Sequence, residues 1–507
     1  MKAIIVGAGD VGFVSAETIS DVNDVLVIEK DEDIADTLKG RLNVSVLRED
    51  GTNPRILRYA IENQNADVLI SALHSASENL FVCMMAKRIK PTLRTVATVD
   101  NPDFVVEASR TKLEGVDEII SPDLVTAEKM YKLCVLENVV EYEAIKGMGV
   151  SIAVFRIDSR HQIVGRVVMH LPLPKDCTVF AIFRDGTMNT APETMEIHSG
   201  DRICVFGSDP AIEQFNELVG VEDVGREFCI LGGSIIGRNL AKMLVDDPKK
   251  RYVKIIEKDA DTCRSLSKEL SGVVVINADF TDPDIQFDEN IFKSDATVST
   301  SRKDDTNLLI CMSAKRHSAR KVIARFFMRE YEDIFRYTDL QTIIGYDRVI
   351  SNEITKYVLS DETAITRMQS SEGIFFTHNV DGLSKLLDRY VGDLNMPDGL
   401  RIVAIIRDGE ITYPLLDTRI RNDDSVILFS VKEQSLTFRT VPKALWGKLY
   451  GQWMCEAATF VYDFDRFSAA DILPLFKKYN ITTFCAPPTM YRFMIKDDLS
   501  KYDLSSI

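Results

Sequence analysis

The stretch "IIVGAGDVG" at residues 4–12 joins an apolar run to a glycine-rich turn, and "CILGGSIIG" at residues 229–237 does so again. An apolar run that enters such a turn and is followed by a helical pattern is typical of the first strand and helix of a Rossmann unit. The chain therefore contains two candidate Rossmann domains. The second has serine at the middle glycine position.

The first turn has the complete GxGxxG spacing, with Gly7, Gly9 and Gly12. These glycines permit the tight turn, the approach of a pyrophosphate to the backbone, and close packing of helix on strand, while the helix N-terminus supplies N–H donors. The second strand pattern, "DVLVIEKD", contains Glu29, about twenty residues further on, where Rossmann units place a ribose-binding acid. A carboxylate at Glu29 favours NAD or an adenosine ligand over NADP.

The second turn repeats this plan with Gly232, Gly233, Ser234 and Gly237, followed by Glu257 in "VKIIEKD". The tetrapeptide "IEKD" occurs in both halves of the chain. Ser234 adds a side chain where phosphates approach the backbone, which leaves two alternatives open. The second half either binds a nucleotide or keeps only the fold.

The duplication extends well beyond the glycine turns. Matching pairs are "EDGTNP" (49–54) with "ADFTDP" (278–283), "ENLFVCMMAKR" (78–88) with "TNLLICMSAKR" (306–316), "FAIFRDG" (180–186) with "VAIIRDG" (403–409), and "GDRICVFGS" (200–208) with "DDSVILFSV" (423–431). Several matches in one order indicate duplication rather than chance. Each half is predicted to hold an α/β domain followed by a smaller domain of strands and short helices.

The composition is that of a globular protein. Hydrophobic residues make up 45% of the 507 residues and charged residues 27%, and no apolar run approaches the roughly 20 residues that span a bilayer. The nine cysteines include no CxxC pair, which favours reduced thiols over a disulfide framework or a zinc site. A net charge of −16 disfavours nucleic acid as a partner. We expect a cytoplasmic protein without a metal site.

Catalytic motifs are absent from the first 440 residues, which contain no HExxH, GxSxG or GxxxxGK[ST] pattern. An NAD-dependent oxidoreductase would need a proton-relay residue near the nicotinamide, and His74, after the fourth strand, is the one candidate. The sequence therefore favours nucleotide binding without catalysis, with oxidoreductase as the alternative.

The first 435 residues resemble the TrkA-type regulatory subunit of potassium-uptake systems, which is built from tandem RCK units. The resemblance rests on the two "IEKD" Rossmann patterns, the two "RDG" turns and the "GDRICVFG"-like endings. It implies a peripheral protein on the cytoplasmic face of the plasma membrane that binds NAD or NADH, with ATP and ADP as further candidate ligands. It also implies assembly into a homo-oligomeric ring that gates a TrkH-type membrane subunit.

The resemblance also implies domain boundaries and site residues. Rossmann domains are expected at residues 1–120 and 226–345, and small α+β RCK C-terminal domains at 136–220 and 355–435. The implied ligand-binding residues are Gly7, Ala8, Gly9, Asp10, Val11, Gly12, Glu29, Leu73 and His74 in the first half, and Gly232, Gly233, Ser234, Ile235, Ile236, Glu257 and Arg325 in the second. Two positions depart from the family pattern: Thr98 stands where the second half has Arg325, and Leu73 replaces a smaller polar residue.

The tail, residues 441–507, matches neither repeat and contains both tryptophans. Its segments "VYDFDRF", "ITTFCAPPTMYRF" and "DLSKYDLSSI" resemble an internal fragment of an AMP-forming acyl-CoA synthetase. That family's phosphate loop and catalytic lysine are missing, so we expect a partial α/β fragment without adenylation activity. A gene fusion is one origin, and a non-functional fusion is a further alternative for the whole chain.

Overall fold

The structure of the chain is a computed structural model. It describes residues 2–20, 23–100, 104–105, 113–145, 149–220, 226–328, 331, 334–335, 342–358, 366–368, 373–382, 384, 386–394, 396, 399–431, 468–479, 481, 494–495 and 499–504. Within these ranges, no helix is both long and apolar enough to cross a membrane.

The first half of the chain begins with a six-stranded parallel sheet in the order β3-β2-β1-β4-β5-β6. Its strands are β1 Lys2–Val6, β2 Asp24–Ile28, β3 Ser45–Leu47, β4 Val68–Ser71, β5 Arg94–Thr98 and β6 Glu118–Ile120. Its helices are α1 Asp10–Ser20, α2 Glu32–Arg41, α3 Pro54–Gln64, α4 Ala76–Ile89 and α5 Pro122–Val135. The strand order reverses between β1 and β4, and Rossmann folds bind their ligands at this point, beyond the carboxyl ends of the strands.

A smaller antiparallel sheet follows in the order β10-β9-β11-β8-β7. Its elements are β7 Val139–Ile145, β8 Val150–Arg156, β9 Cys177–Arg184, β10 Thr187–Asn189, β11 Arg202–Ser208 and α6 Asp209–Val219, with a 3₁₀ helix at Val168–His170. The "RDG" motif is the two-residue hairpin turn between β9 and β10, where Asp185 and Gly186 have φ values of 50° and 78°. Positive φ at both central residues is the requirement of a type I′ turn, which asparagine, aspartate and glycine meet.

The second half repeats the parallel sheet in the order β14-β13-β12-β15-β16-β17. Its strands are β12 Glu227–Leu231, β13 Tyr252–Glu257, β14 Val273–Asn277, β15 Ala296–Ser299, β16 Val322–Phe326 and β17 Thr342–Gly345. Its helices are α7 Ile235–Val245, α8 Ala260–Glu269, α9 Pro283–Asp288, α10 Asp304–Arg316 and α11 Tyr346–Val358, with a 3₁₀ helix at Ile291–Lys293. The prediction of two tandem Rossmann-type domains is confirmed.

The second antiparallel sheet has the order β18-β19-β22-β20-β21. Its strands are β18 Thr366–Arg367, β19 Ile374–Asn379, β20 Leu400–Arg407, β21 Glu410–Thr412 and β22 Ser425–Ser430, with a 3₁₀ helix at Val391–Asp393. The two antiparallel sheets pack against each other through a shared apolar core. Phe180 of the first sheet lies 5.1 Å from Phe375 and 4.9 Å from Phe429 of the second, measured between ring centroids.

The two parallel sheets are joined by a reciprocal exchange of helices. Helix α5, which leaves the first parallel sheet, packs on α7 of the second, and α11 packs on α1 of the first. The hydroxyl of Tyr131 on α5 donates a 2.8 Å hydrogen bond to Asp247, and Thr18 on α1 donates one of 2.9 Å to Ser351 on α11. Each Rossmann domain therefore contacts the helix that leads into the antiparallel sheet of the other half.

The connection between α5 and β7 is held by a buried lysine from the second half. The ammonium of Lys321 donates hydrogen bonds of 2.8–3.0 Å to the carbonyl oxygens of Leu136, Glu137 and Val139. Two of these carbonyls follow the end of α5, where carbonyl groups lack partners within the helix. This contact fixes the first connecting segment to the second parallel sheet.

Most of the tail lies outside the described residues, so the partial α/β fragment expected there stays a prediction. The described part contains helix α12 Ala469–Lys478 and a 3₁₀ helix at Leu499–Lys501. On α12, Ile472, Leu473 and Phe476 are buried in a small cluster with Met494. The boundary proposed at residue 441 stays a prediction.

Candidate nucleotide-binding sites

The first glycine turn lies at the carboxyl end of β1. Gly7 has φ of +87°, and its N–H donates a 2.9 Å hydrogen bond to the carbonyl of Ile28 on the neighbouring strand. A Cβ atom at Gly12 would lie 2.0 Å from the carbonyl oxygen of Gly7. Gly7 and Gly12 are thus required by the backbone itself, independently of any ligand.

Gly9 differs from its two neighbours in this respect. A Cβ atom there would meet nothing closer than Cε1 of His74 at 3.7 Å, and Gly9 has no positive φ. Helix α1 begins at the next residue, Asp10, so Asp10 and Val11 contribute first-turn N–H groups that have no partner within the helix. The space over Gly9 and the start of α1 together suit a pyrophosphate.

Glu29 stands beside this turn at the end of β2. One carboxylate oxygen accepts a 2.7 Å hydrogen bond from the N–H of Ala8, and the other accepts one of 2.9 Å from Asp31. Glu29 is 8% exposed. Each carboxylate oxygen can accept a second hydrogen bond, so Glu29 can hold the turn and still accept from a ribose hydroxyl.

Leu73 and His74 follow β4 and face the same turn. A Cβ at Gly7 would lie 2.9 Å from Cδ2 of Leu73, and His74 is the side chain nearest to Gly9. The loop that carries them is shaped by buried Asn79, whose carbonyl accepts from the N–H of Leu73 and whose amide donates to the carbonyl oxygens of Leu73 and Thr98. The structure thus brings all nine predicted residues of the first half together in one crevice, which we call the first crevice.

The second turn repeats this geometry. Gly232 has φ of +105°, and a Cβ at Gly237 would lie 2.5 Å from the carbonyl oxygen of Gly232. Glu257 accepts hydrogen bonds of 2.7 Å from the N–H of Gly233 and 2.9 Å from that of Asp259, as Glu29 does in the first half. The anchoring carboxylate was therefore duplicated with the fold.

Ser234 makes a contact that the first turn lacks. It is the N-cap of α7, and its hydroxyl oxygen accepts a 3.2 Å hydrogen bond from the N–H of Gly237. Ile235 and Ile236 begin the helix, and Ile236 is buried in the core. Ser234 therefore occupies one donor that a pyrophosphate would use, while its hydroxyl hydrogen remains able to donate.

Arg325 lies on β16, near the carboxyl edge of the second parallel sheet, and its side chain is buried. It is 4% exposed, and its guanidinium lies 4.8 Å from the ring centroid of Tyr346 and 5.6 Å from that of Phe327. Its Nε has no hydrogen-bond partner among the described residues. Burial lowers the pKa of Arg325, while Tyr346, Asp123 and Asp304 act to raise it. We call the site formed by residues 232–237, Glu257, 301–303 and Arg325 the second crevice.

The carboxylates around Arg325 are engaged elsewhere. Asp304 accepts hydrogen bonds of 2.8 and 2.7 Å from the N–H groups of Phe327 and Met328, and Asp123 of helix α5 accepts one of 2.9 Å from the hydroxyl of Tyr346. Asp123 belongs to the first half and Tyr346 to the second. This hydrogen bond therefore joins the two halves of the chain close to Arg325.

Sequence reasoning did not single out Asn79, Asp123, Arg302 or Lys303 as site residues. Asn79 was detectable from the sequence, because the repeat aligns it with an identical residue, Asn307. In the structure, Asn307 makes the same kind of contacts, to Ser301 and Arg325. Asp123 had no local signal, since its partner Tyr346 lies 223 residues away. Within the described ranges, no group of three or more His, Cys, Asp or Glu side chains is placed to hold a metal ion.

Known protein families match both halves of the chain. Residues 3–122 and 228–352 match the TrkA-N domain, and residues 152–220 and 379–441 match the TrkA-C domain. Similar curated proteins include "Trk system potassium uptake protein TrkA homolog 1" of Methanosarcina mazei, 28% identical over 85% of this chain and 97% of that protein. "Trk system potassium uptake protein TrkA" of Vibrio alginolyticus is 27% identical over 86% of this chain and 96% of that protein.

Solved structures share the fold. The solved structure "GsuK channel bound to NAD" aligns with a TM-score of 0.58 at 17% identity, over 86% of this chain and 78% of that one. The "Crystal Structure of the GsuK RCK domain" aligns with a TM-score of 0.58 at 16% identity, over 90% of this chain and 95% of that one. At this level of identity the likeness concerns the fold alone.

Proposed function

Since this chain belongs to the family of TrkA-type potassium-uptake regulators, with TrkA-N and TrkA-C domains in both halves, we propose that it is a nucleotide-controlled regulatory subunit of a potassium-uptake system. It binds NAD or NADH, gates a TrkH-type membrane subunit from the cytoplasmic face of the plasma membrane, and catalyses no reaction itself. The observation that carries the nucleotide part is the open space over Gly9, in a turn whose other two glycines have no such space.

The residues of the first crevice fit a dinucleotide. Gly9 and the start of α1 would receive the pyrophosphate, and Glu29 would accept from the adenosine ribose, as both its oxygens keep a free lone pair. Leu73 and His74 would border the second nucleoside. When bound, NAD supplies negative phosphates and ribose hydroxyls as contacts.

The unpartnered Nε of Arg325 supports an anionic ligand in the second half. Arg325 is 4% exposed. A buried guanidinium without a hydrogen bond at Nε carries a large desolvation cost, since buried charges are normally paired. A phosphate near the carboxyl end of β16 would satisfy it. Arg325 thus fits the ligand-binding role that the family resemblance implies for it.

The packing of α11 on α1 connects the first crevice with the second antiparallel sheet. A ligand on α1 contacts the helix against which α11 packs, and α11 leads into the second antiparallel sheet. Binding shifts the equilibrium between two arrangements only by the difference in the ligand's affinity for them. A 100-fold difference in affinity corresponds to about 2.7 kcal/mol of coupling.

Equivalent exposed apolar faces support assembly into a homo-oligomeric ring. On α4, Phe81 and Met84 are each 44% exposed, and on α10 the matching Leu309 and Met312 are 67% and 45% exposed. Large apolar side chains that recur at the same helical positions in both halves indicate a surface that other copies cover. In a ring, both faces would be used by each subunit.

We propose no activity for residues 441–507. The segments that resemble an acyl-CoA synthetase lack that family's phosphate loop and catalytic lysine, so adenylation is not expected. A chain ending at Val431, the residue after β22, should bind nucleotides as the full chain does.

Potassium flux through vesicles tests the proposal. A TrkH-type membrane subunit is reconstituted with and without the full chain, and flux is measured with NAD⁺, NADH or no nucleotide. We expect the chain to make flux depend on nucleotide, and Gly9→Ala to remove that dependence. Potassium flux that is the same with and without the chain would contradict the proposal. Calorimetry that detects no nucleotide binding would also contradict it.

A further inference from the structure

A cavity of about 890 Å³ lies where the two halves of the chain meet. Its walls come from β6, α5 and β7 of the first half, from Asp209 at the start of α6, and from Glu353 and Tyr357 on α11 of the second half. Small-molecule sites have volumes of about 300–1,000 Å³. We call this space the junction cavity. Its lining residues, where the structure describes them, include no residue of either glycine turn.

Carboxylates outnumber ammonium groups around the junction cavity. The described lining contains two lysines, Lys129 and Lys132, and six acids, Asp117, Glu118, Glu128, Glu143, Asp209 and Glu353. These acids lie on or beside β6, α5, β7, α6 and α11, so the negative charge comes from several walls rather than from one segment.

Both lysines are engaged by acids of the same walls. Lys129 forms an ion pair with Glu143 in which both side chains are largely buried, and the ammonium of Lys132 lies 3.0 Å from the carboxylate of Asp209. Burial acts to raise the pKa of Asp209, but hydrogen bonds, led by that from Tyr142, hold it below its ordinary value. Asp209 is therefore ionised at neutral pH, and the lysines are matched by two of the six acids.

The other acids differ in position. Asp117 pairs with Lys87, outside the lining, and we leave it out of the proposed contacts. Glu118 and Glu128 belong to the first half, on β6 and α5, and Glu353 belongs to the second half, on α11. A cationic ligand that contacts these three carboxylates would therefore touch both halves.

Three tyrosines also line the junction cavity, Tyr131 on α5, Tyr142 on β7 and Tyr357 on α11. The ring of Tyr142 already attracts an ammonium group, because Nζ of Lys132 lies 5.7 Å from the ring centroid. Aromatic rings and carboxylates are the two kinds of surface that bind ammonium groups. The cavity wall thus provides both.

Apolar side chains complete the lining, among them Val116, Ile119, Leu124 and Val125. The carboxylates disfavour an anionic ligand, because like charges repel. A bare metal ion is also disfavoured, since no group of three or more His, Cys, Asp or Glu side chains in the described part of the chain is placed to hold one. A fitting ligand carries several cationic groups separated by hydrocarbon.

We infer that the junction cavity binds a linear polyamine, a chain of methylene groups that carries two or more ammonium groups. The ammonium groups pair with Glu118, Glu128 and Glu353, and the methylene groups lie against the apolar side chains and the tyrosine rings. The bound polyamine joins α5 and β6 of the first half to α11 of the second. Binding needs no nucleotide, and only its consequence for potassium uptake rests on the proposed function.

Calorimetric titration of the full chain with spermidine tests this inference. The titration is done at about 0.15 M salt, which screens the general attraction of a cation to an acidic protein. We expect one equivalent of spermidine per chain. Glu118→Gln combined with Glu128→Gln should weaken binding about tenfold, the effect of losing two solvent-accessible ion pairs.

The matched control is Glu114→Gln combined with Glu217→Gln. Both residues are exposed, neither is among the described lining residues, and the double variant has the same net charge as the test variant. It should bind spermidine as the wild type does. Equal weakening in the two double variants would overturn the inference, because it would show attraction to the net charge alone.

Two further measurements locate the ligand. Hydrogen exchange in α5 and α11 should slow when spermidine is added to the wild type. Tyr357→Phe, which keeps the aromatic ring, should retain binding, and Tyr357→Leu should weaken it several-fold. Binding of several equivalents without slower exchange in α5 and α11 would overturn the inference.

The choice of ligand class is tested with two other probes. Neutral 1,8-octanediol should not bind, and Ca²⁺ should not displace spermidine. Octanediol that binds as tightly as spermidine, Ca²⁺ that displaces it, or a wild-type chain that binds no spermidine would each overturn the inference. A chain that binds spermidine but no nucleotide would contradict the proposed function and leave this inference standing.

Discussion

The carboxylate of Glu29 accepts a 2.7 Å hydrogen bond from the backbone N–H of Ala8, 21 residues earlier in the chain. Glu257 repeats the contact with Gly233, also at 2.7 Å. The acid that the ribose-binding pattern predicts is therefore also the side chain that fixes the shape of the glycine turn. In each half, the residue predicted to bind the ribose also stabilises the turn.

Glu29→Gln should loosen the first turn. A neutral amide accepts more weakly than a carboxylate, and its NH₂ group would face the N–H of Asp31 or Ala8, which costs roughly 1–2 kcal/mol locally. Hydrogen exchange at residues 7–13 should become faster, and NAD⁺ affinity should fall. Glu32→Gln, at an exposed residue paired with Arg48, is the control; unchanged exchange in Glu29→Gln would show that the contact is dispensable.

Gly9→Ala and Gly12→Ala should behave oppositely in the absence of ligand. The methyl group at position 9 meets nothing within 3.7 Å, whereas at position 12 it would lie 2.0 Å from the carbonyl oxygen of Gly7. Thermal unfolding should show a near-normal midpoint for Gly9→Ala and a severe loss of stability for Gly12→Ala. Similar midpoints for the two variants would contradict the geometry of the turn.

Lys321 should make stability depend on pH above neutrality. Burial lowers its pKa from 10.5 to about 8, against the opposing effects of Cys134 and Glu137. Between these values the unfolded chain keeps the proton that the folded chain has released, so raising the pH favours the folded state through this group. The thermal midpoint of wild type should rise relative to that of Lys321→Met from pH 8 to pH 10.

The matched control for this experiment is Lys293→Met, because Lys293 is an exposed lysine of the same domain. The difference in thermal midpoint between Lys293→Met and wild type should stay constant over the same pH range. A Lys321→Met difference that is equally constant would mean that the buried ammonium keeps its proton throughout.

Arg407→Met should destabilise the second antiparallel sheet. Arg407 binds both oxygens of Asp424, at 2.8 and 2.9 Å, and Asp424 is 1% exposed. Burial acts to raise the pKa of Asp424, but its hydrogen bonds to Arg407 and to the N–H of Arg421 hold it below its ordinary value. Removing one partner of such a pair lowers the free energy of unfolding by about 3 kcal/mol. Urea unfolding, monitored by hydrogen exchange of β20 and β22, measures this loss.

Arg419→Met provides the comparison, because Arg419 and Asp388 form an ion pair that is more than half exposed. Exposed pairs contribute at most about 1 kcal/mol. Equal losses in Arg407→Met and Arg419→Met would contradict the structural role assigned to the "RDG" arginine.

Phe81→Ser combined with Met84→Ser should reduce the size of the assembly. Both side chains are exposed on α4 of the single chain, so their replacement should leave its fold intact and weaken contacts between copies. Sedimentation velocity should show smaller species than for wild type. Tyr59→Ser, which alters a 60% exposed residue on α3, should not change the assembly, and an unchanged assembly in the double variant would place the interface elsewhere.

Local sequence patterns determined the repeated fold. Apolar strands entering glycine turns, the two "IEKD" acids and the two "RDG" hairpins are signals carried within short segments, since turn conformation and strand burial depend on neighbouring residues. The positions of Gly7, Gly9, Gly12 and Glu29 in and beside the first turn could be predicted for the same reason, and their role in binding a ligand stays a prediction. Domain boundaries and the role of the tail stay predictions.

Only the tertiary structure shows how the two halves contact each other. The contacts of Lys321 with Leu136, and of Asp123 with Tyr346, join residues 185 and 223 positions apart, and no periodicity in the sequence encodes such pairs. It also showed that the guanidinium of Arg325 is buried without a partner at Nε, and that Ser234 caps its own helix. The physical reason is that burial and hydrogen bonding belong to the packed chain: the sequence specifies which groups are present, and only the fold determines which of them remain unpaired.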